Sequence, residues 1–173
     1  KNLDRLRHLD QICVGRTTTL ASNRGSIERA LVDADLVVGA VLVAGARAPI
    51  VVSEDMVRSM KPGSVIVDVA VDQGGCIATT HETTHTDPIY MQHGVVHYAV
   101  GNMPGAVPYT STYSLTNATL PYQLEVARLG ALGAITNSDA LRHGLNTARG
   151  HVTNDAVARE LKFNFVEPSV ALS

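Results

Sequence analysis

A chain of 173 residues with 45% hydrophobic content is long enough for one domain or two small ones around a real core. Its formal net charge of -2 and its 17% charged residues offer no basic face for nucleic acid and no polybasic patch for a membrane. The longest apolar runs fall far short of the roughly 20 residues that a membrane helix needs, so the expectation is a soluble, cytoplasmic, globular protein. The first residue is Lys1 rather than Met, and the chain opens inside an amphipathic pattern, which suggests that a front half precedes it. Cys13 and Cys76 lack C-x-x-C spacing, and both read as buried thiols in a reducing compartment.

In chain order, Asn2 to Ile12 places Leu3, Leu6, Leu9 and Ile12 three apart among charged residues, which predicts a helix packed on a sheet. Gly15-Arg16 turns into Thr17 to Leu20, a short β-branched run expected to be a strand. Asn23 to Ser26 supplies turn and cap signals for a helix over Ile27 to Val32. Ala34 to Ala40 then reads as a buried strand. Ser53, followed by Glu54 and Asp55, caps a helix running to Met60, because these side chains complement the positive helix end. The alternation of helix and strand predicts an α/β fold with a parallel sheet.

Ser64 to Gly75, SVIVDVAVDQGG, is the stretch on which the rest depends. Val65, Ile66, Val67, Val69 and Val71 suit a strand buried on both faces of a parallel sheet. Asp68 lies inside that run, and Asp72 is expected at its C-terminal end beside Gly74-Gly75. Ligands of open α/β sheets bind outside the carboxyl ends of the strands, so Asp72 is the candidate functional acid. Asp68 reads instead as an acid that hydrogen-bonds loop backbone. A polar loop follows, and Val95 to Val100 makes a further strand ending in a turn at Gly101 to Gly105. From Thr110 to Leu129 the pattern is one long helix with Gly130 as its stop and a bend or restart at Pro121. Ser138 caps a short helix, and another spans Asn154 to Leu161. The alternation of strand and helix ceases near Pro108, where a domain boundary is expected.

His81-Glu82-Thr83-Thr84-His85 matches H-E-x-x-H, in which two histidines one helical turn apart hold zinc. The context fails: the threonines, Gly74-Gly75 before and Pro88 after make a stable helix there improbable, so no metal site is expected. No G-x-G-x-x-G and no G-x-S-x-G occur, and Cys76 has no evident activating partner.

Four stretches in this order resemble the bacterial alanine dehydrogenase family: ADLVVGAVLVAGARAP (Ala34 to Pro49), MKPGSVIVDVAVDQGGC (Met60 to Cys76), HGVVHYAVGNMPGAVP (His93 to Pro108) and TSTYSLTNATLPY (Thr110 to Tyr122). The first two also fit the NAD(H)-binding transhydrogenase relatives; the last two are more specific. The resemblance covers the chain from Asn2 to its end and implies the C-terminal half of such an enzyme. It explains the missing glycines, because the family's Gly-rich turn and ribose-binding acid precede the helix with which this chain starts. The implied fold is α/β: a partial Rossmann-type doubly wound parallel sheet, residues 1 to 106, followed by a helical segment, residues 107 to 173, that returns to the substrate domain. The long helix would link the two domains and contribute to a homohexamer.

The implied activity is NAD-dependent oxidative deamination of L-alanine to pyruvate and ammonia. Asp72 would stand beside the nicotinamide, as a catalytic acid/base or as the group positioning the water that attacks the imine. The backbone of Val69, Ala70 and Val71 would line NAD, with Val41 and Leu42 on its adenosine or pyrophosphate side and Arg5 and Ser22 near the adenosine. Val100, Gly101, Asn102 and Met103 would close over the nicotinamide, with Asn102 as their polar contact. His81 stands where some members have an arginine reaching the cofactor, and Tyr109 where a basic residue often precedes TST. The family's substrate-gripping Arg and Lys and its catalytic His belong to the N-terminal half, so this chain alone is expected neither to turn over alanine nor to bind NAD tightly. Two other readings remain: a transhydrogenase-type or saccharopine-type dehydrogenase domain, and a non-catalytic oligomerisation protein.

Overall fold

A computed structural model describes residues 2–172, leaving Lys1 and Ser173 outside the described residues. The backbone divides into two compact units: residues 1–41 with 48–101, and residues 42–47 with 102–173.

The first unit contains α1 (Leu3–Ile12), α2 (Arg24–Asp33), β1 (Leu36–Gly39), α3 (Glu54–Arg58), β2 (Val65–Asp68), β3 (Ile89–Gln92) and β4 (Val95–Tyr98). The capping signals read at Ser53 and at Asn23 to Ser26 act as expected, and Asn2 is a further cap that the sequence reading placed inside its helix. Asn2 caps α1, Ser53 caps α3, and Asn23 and Ser26 form a reciprocal capping box that starts α2 three residues before Ile27. The sheet order is β1-β2-β4-β3, with β1, β2 and β4 parallel and β3 antiparallel at the edge. Strand β3 lies inside the stretch read as a polar loop. It forms because His93 (φ 54°) and Gly94 (φ 77°) adopt the left-handed backbone of a tight hairpin turn onto β4.

One sheet face is dry and the other is not. Ile66 and His97 sit in register and fully buried, over a core of Leu31, Val52, Met56, Val57, Met60, Ile77 and Val95. On the opposite face Leu36 and Val38 are 59% and 57% exposed, so β1 is a half-buried edge strand and not the buried strand its composition predicts. Two further expectations fail for the same reason, the want of a packing partner among the described residues. Thr17 to Leu20 forms no strand, and α1 buries none of its residues. Cys13 is only partly covered, whereas Cys76 is fully buried.

The second unit is dominated by α4 (Pro108–Asn137), whose backbone stays helical through Pro121 and breaks at Gly130 (φ 70°, ψ 167°). Gly130 is thus the stop read from the sequence, and a final helical segment follows it. Next come α5 (Asp139–His143), capped by Ser138, a two-residue hairpin of β5 (Thr147–Ala148) and β6 (His151–Val152), α6 (Asp155–Leu161), capped by Asn154, and α7 (Pro168–Leu172). No helix among the described residues is long and apolar enough to cross a membrane.

Candidate functional site

The focal strand ends sooner than its β-branched run suggests. β2 stops at Asp68, and Val71–Gln73 form a single 3-10 turn, so Asp72 sits in that turn and not at the end of the ladder. The cause is Asp68, which has no exposed surface. Its Oδ1 accepts from the Ala70 backbone N–H at 3.1 Å and from the Cys76 thiol at 3.5 Å. Its Oδ2 accepts from the Cys76 backbone N–H at 2.9 Å and from the Thr80 hydroxyl at 2.7 Å. By capturing the Ala70 N–H, the carboxylate pulls the chain out of the strand, and by capturing Cys76 it closes the turn behind it. The acid thus binds loop backbone, as its place in a buried strand implies.

Inside this closure, Gln73 and Gly75 donate to the Ala70 carbonyl and Gly74 donates to that of Val71, with Gly74 and Gly75 at φ 94° and 75°. Side chains are excluded at Gly75, where an added Cβ would lie 2.8 Å from the Thr80 hydroxyl and 3.1 Å from Asp68. The Ala48 N–H donates to the Gln73 carbonyl at 2.9 Å, tying the turn to the segment before α3. Ala70 and Val71 are buried, Val69 is 49% exposed, and Asp72 is exposed. The Cys76 thiol is pushed up to about 11 by burial, reinforced by the Asp68 carboxylate, which makes it a poor nucleophile.

His81 begins a stack of three rings. Its imidazole lies 3.9 Å from the Tyr90 ring, which lies 4.9 Å from that of His97. The Tyr90 hydroxyl donates to the Thr79 carbonyl and accepts from the His81 backbone N–H. His97 is buried between the Val95 carbonyl, 3.0 Å from Nδ1, and the Thr79 hydroxyl, 2.8 Å from Nε2. That pairing fixes the neutral ring with its proton on Nδ1, and burial holds the His97 pKa below its ordinary value. His81 itself is exposed on the outer end of the stack. Residues 81–85 are not helical, which removes the geometry that H-E-x-x-H needs, and no cluster of metal-ligating side chains occurs among the described residues.

The structure brings Ser22 and Val41 to one apolar cavity of about 380 Å³, shared with Ile27, Leu36 and Val38. Arg5 is exposed on α1. Val100 is buried and bridged to Thr83, whose N–H donates to Ala99 and whose carbonyl accepts from the Gly101 N–H, so the sheet continues past β4 in irregular form. Leu42, Asn102 and Met103 belong to the second unit. There Asn102 (φ 56°) lines a cavity of about 740 Å³ with Pro104, Thr110, Ser111 and Leu115 at the start of α4.

Two residues escaped the sequence reading. Thr80 closes the Asp68 network from twelve residues away, a distance at which no local pattern signals a contact. The Glu82 side chain lies over the backbone of Gly101, filling the place where a Cβ would stand. The sequence reading named it only as part of the rejected H-E-x-x-H match.

Comparison with known proteins adds the following. The family model described as Alanine dehydrogenase/PNT, C-terminal domain, matches residues 1–155. Alanine dehydrogenase of Bacillus subtilis (strain 168) is 58% identical over 172 residues, covering 99% of this chain and 46% of that protein. Alanine dehydrogenase 2 of Staphylococcus aureus (strain USA300) is 53% identical over 174 residues, covering 99% of this chain and 47% of its own length. The chain therefore spans about half the length of the curated relatives it matches. Among solved structures, an L-alanine dehydrogenase superposes with a TM-score of 0.81 at 50% identity, covering 93% of this chain and 44% of that one. A transhydrogenase from Sinorhizobium meliloti gives a TM-score of 0.55 at 27% identity over 63% of this chain and 31% of that one.

Proposed function

Because the chain belongs to the alanine dehydrogenase/PNT C-terminal domain family, we propose that it acts as the C-terminal half of an NAD-dependent alanine dehydrogenase. Such an enzyme converts L-alanine, water and NAD⁺ to pyruvate, ammonium, NADH and a proton. In this reading residues 1 to 106 belong to the NAD-binding domain and residues 107 to 173 return to the substrate domain. The N-terminal half, absent from these 173 residues, supplies the grip on the substrate. The assembled enzyme is a cytoplasmic homohexamer. The observation that carries the reading is the 58% identity to an alanine dehydrogenase across 99% of the chain. The transhydrogenase alternative rests on 27% identity over 63% of it.

The residues present fit the nicotinamide end of NAD. The carboxyl ends of the parallel strands carry Ala40 and Val41 after β1, Val69 and Ala70 after β2, and Ala99 and Val100 after β4. These small and aliphatic residues let a ligand approach the backbone closely. Asp72 adds an exposed acid beside them. When bound, NAD supplies the hydride acceptor. Val69, Ala70 and Val71 line it through their backbone, Val41 and Leu42 lie toward its adenosine or pyrophosphate side, and Arg5 and Ser22 contact the adenosine. Val100, Gly101, Asn102 and Met103 close over the nicotinamide, and His81 takes the position of a cofactor-reaching arginine.

Asp72 is the catalytic group that this chain contributes. Its carboxylate holds or moves a proton at the step in which water adds to the imine of the substrate, either as acid/base or by orienting that water. Projection from a turn whose base is locked lets the carboxylate reach substrate without collapsing onto the protein. The test is alanine-dependent NADH formation by the protein extended to the length of its relatives. Turnover that requires L-alanine and falls in the Asp72→Asn variant is expected. Absence of any NADH signal with alanine would overturn the reading, and undiminished turnover by Asp72→Asn would overturn the role of Asp72.

A further inference from the structure

The buried carboxylate of Asp68 holds more than its own strand end. Each of its two oxygens takes a backbone N–H, and the two N–H groups, of Ala70 and Cys76, stand at the two ends of the turn that carries Asp72. The turn therefore pivots on one carboxylate. Thr80 is the third anchor, 2.7 Å from Oδ2. Its hydroxyl has a single proton and two acceptors in range, Asp68 and the Ile77 carbonyl at 2.8 Å. The Ile77 carbonyl already accepts from the Thr80 N–H at 3.1 Å, and a charged acceptor makes the stronger bond, so the proton goes to Asp68.

Nothing nearby relaxes this arrangement. An added Cβ at Gly39 on β1 would lie 3.0 Å from Oδ1 and 2.6 Å from the Cys76 sulfur, so β1 packs directly against the carboxylate from the other side. No side-chain cation touches Asp68 among its described partners. Its charge is met by N–H, O–H and S–H dipoles alone, each fixed in direction. A shift in any one donor moves the pivot, and with it the turn.

We propose that Asp68 and Thr80 form a positioning pair that sets the height and orientation of Asp72, and that the Thr80 hydroxyl is required for turnover although it touches neither substrate nor cofactor. This rests on the reading of Asp72 as the catalytic group. Loss of the Thr80 bond leaves Oδ2 with the Cys76 N–H as its one donor and loosens the carboxylate on which both ends of the turn hang. Misplacement of a reacting group on the ångström scale costs on the order of 10- to 100-fold in rate.

The test uses Thr80→Val, which keeps the shape and removes the hydroxyl, and Thr80→Ser, which restores it, in the full-length enzyme. Asp68→Asn is the more direct change but places an N–H against the Cys76 N–H and risks the fold, so Thr80 carries the experiment. Two readouts are taken: steady-state kinetics with alanine, and hydrogen exchange of the 69–76 amides in the enzyme without cofactor. The expected result for Thr80→Val is faster exchange confined to 69–76, a kcat lowered about 10-fold or more with KM for alanine kept within about twofold, and recovery of both in Thr80→Ser. Faster exchange with unchanged kcat would overturn the proposal, because the clamp would then be structural only. Unchanged exchange, or loosening spread over the whole first unit, would overturn it as well. Asp72→Asn separates this from the parent reading. Full turnover by Asp72→Asn removes the catalytic role itself, whereas full turnover by Thr80→Val beside a disabled Asp72→Asn removes the positioning role alone.

Discussion

Between Asp68 and Thr80 the polar groups are closed on one another, and a single buried carboxylate gathers two backbone amides, a hydroxyl and a thiol. Helix α4 does the reverse. It exposes Tyr109, Tyr113, Leu115, Leu120, Leu124 and Leu132 and buries only Ala134. The first region draws its geometry from hydrogen bonds that the chain supplies to itself. The second draws its helix from local propensity and leaves its apolar surface to be covered by something else, which in the proposed reading is the rest of a hexamer. A substitution in the first region should therefore register in stability or in chemistry at once, and one in the second should register in assembly.

The largest expected effect belongs to Asp72, the one exposed acid held up by the closed turn. On the proposed reading, Asp72→Asn in the protein extended to the length of its relatives should lower kcat for alanine about 10²- to 10⁴-fold, the range for loss of a positioned proton-transfer group. Thermal stability should stay within about 0.5 kcal/mol, as for other surface changes. Steady-state kinetics beside a melting curve checks both. Equal losses in both would make Asp72 part of the clamp and erase the distinction between a rigid base and a working tip.

Next comes the pH response of the closed region. Burial pushes the Cys76 thiol up to about 11 from the ordinary value of 9.0. A raised value in an acid group means that the folded state keeps a proton that the unfolded state loses first. The contribution is then full below pH 9 and is lost as pH rises from 9 to 11. Denaturant titrations over that range should show the decline, and Cys76→Ala should flatten it. Tyr90, raised by burial, adds a loss of the same sign at the upper end. A profile with identical slopes for both proteins would show that Cys76 is not sealed in the folded state.

How far the sequence reached differs between the two regions for a physical reason. Helix caps at Ser53, Asn23 and Ser138 were legible, because a cap is a contact between a side chain and an amide two or three residues on. Gly130 was legible as a stop, because its backbone conformation is one that glycine favours. The end of β2 was not. The run of valines argues for a strand through Val71, and what ends it at Asp68 is a set of bonds to Cys76 and Thr80 that depends on the fold already being made. Strand β3 was lost among polar residues, since only its pairing with β4 makes it a strand. Leu36 and Val38 misled in the other direction: apolar residues predict burial, but burial needs a neighbour as well as a side chain.

Gly39→Ala probes the tight region from its other side. Its Cβ would meet the Cys76 sulfur, Asp68 and Ile77 at 2.6, 3.0 and 3.2 Å, all on buried side chains with no solvent to swing into. Overpacking of this kind costs about 1–3 kcal/mol, read as a lower urea midpoint with unchanged slope. Gly101→Ala offers an internal control, because its neighbour is the end of the exposed Glu82 side chain, which can swing away. A loss at Gly101 as large as that at Gly39 would mean that Glu82 is held in place.

The smallest effect on stability should come from α4. Leu124 is 59% exposed, and Leu124→Glu gives up little buried surface while adding a good helix former on a solvated face. Unfolding of the 173-residue chain should change by no more than about 0.5 kcal/mol. On the proposed reading, the same substitution in the protein extended to the length of its relatives places a charge where α4 meets another copy, and light scattering should then show smaller assemblies. A large loss of stability in the short chain would mean that α4 is already packed on its own unit, and the contrast with the Asp68 turn would fail. A stable short chain together with a disrupted assembly would show that the apolar face of α4 serves association, while the turn after β2 serves chemistry.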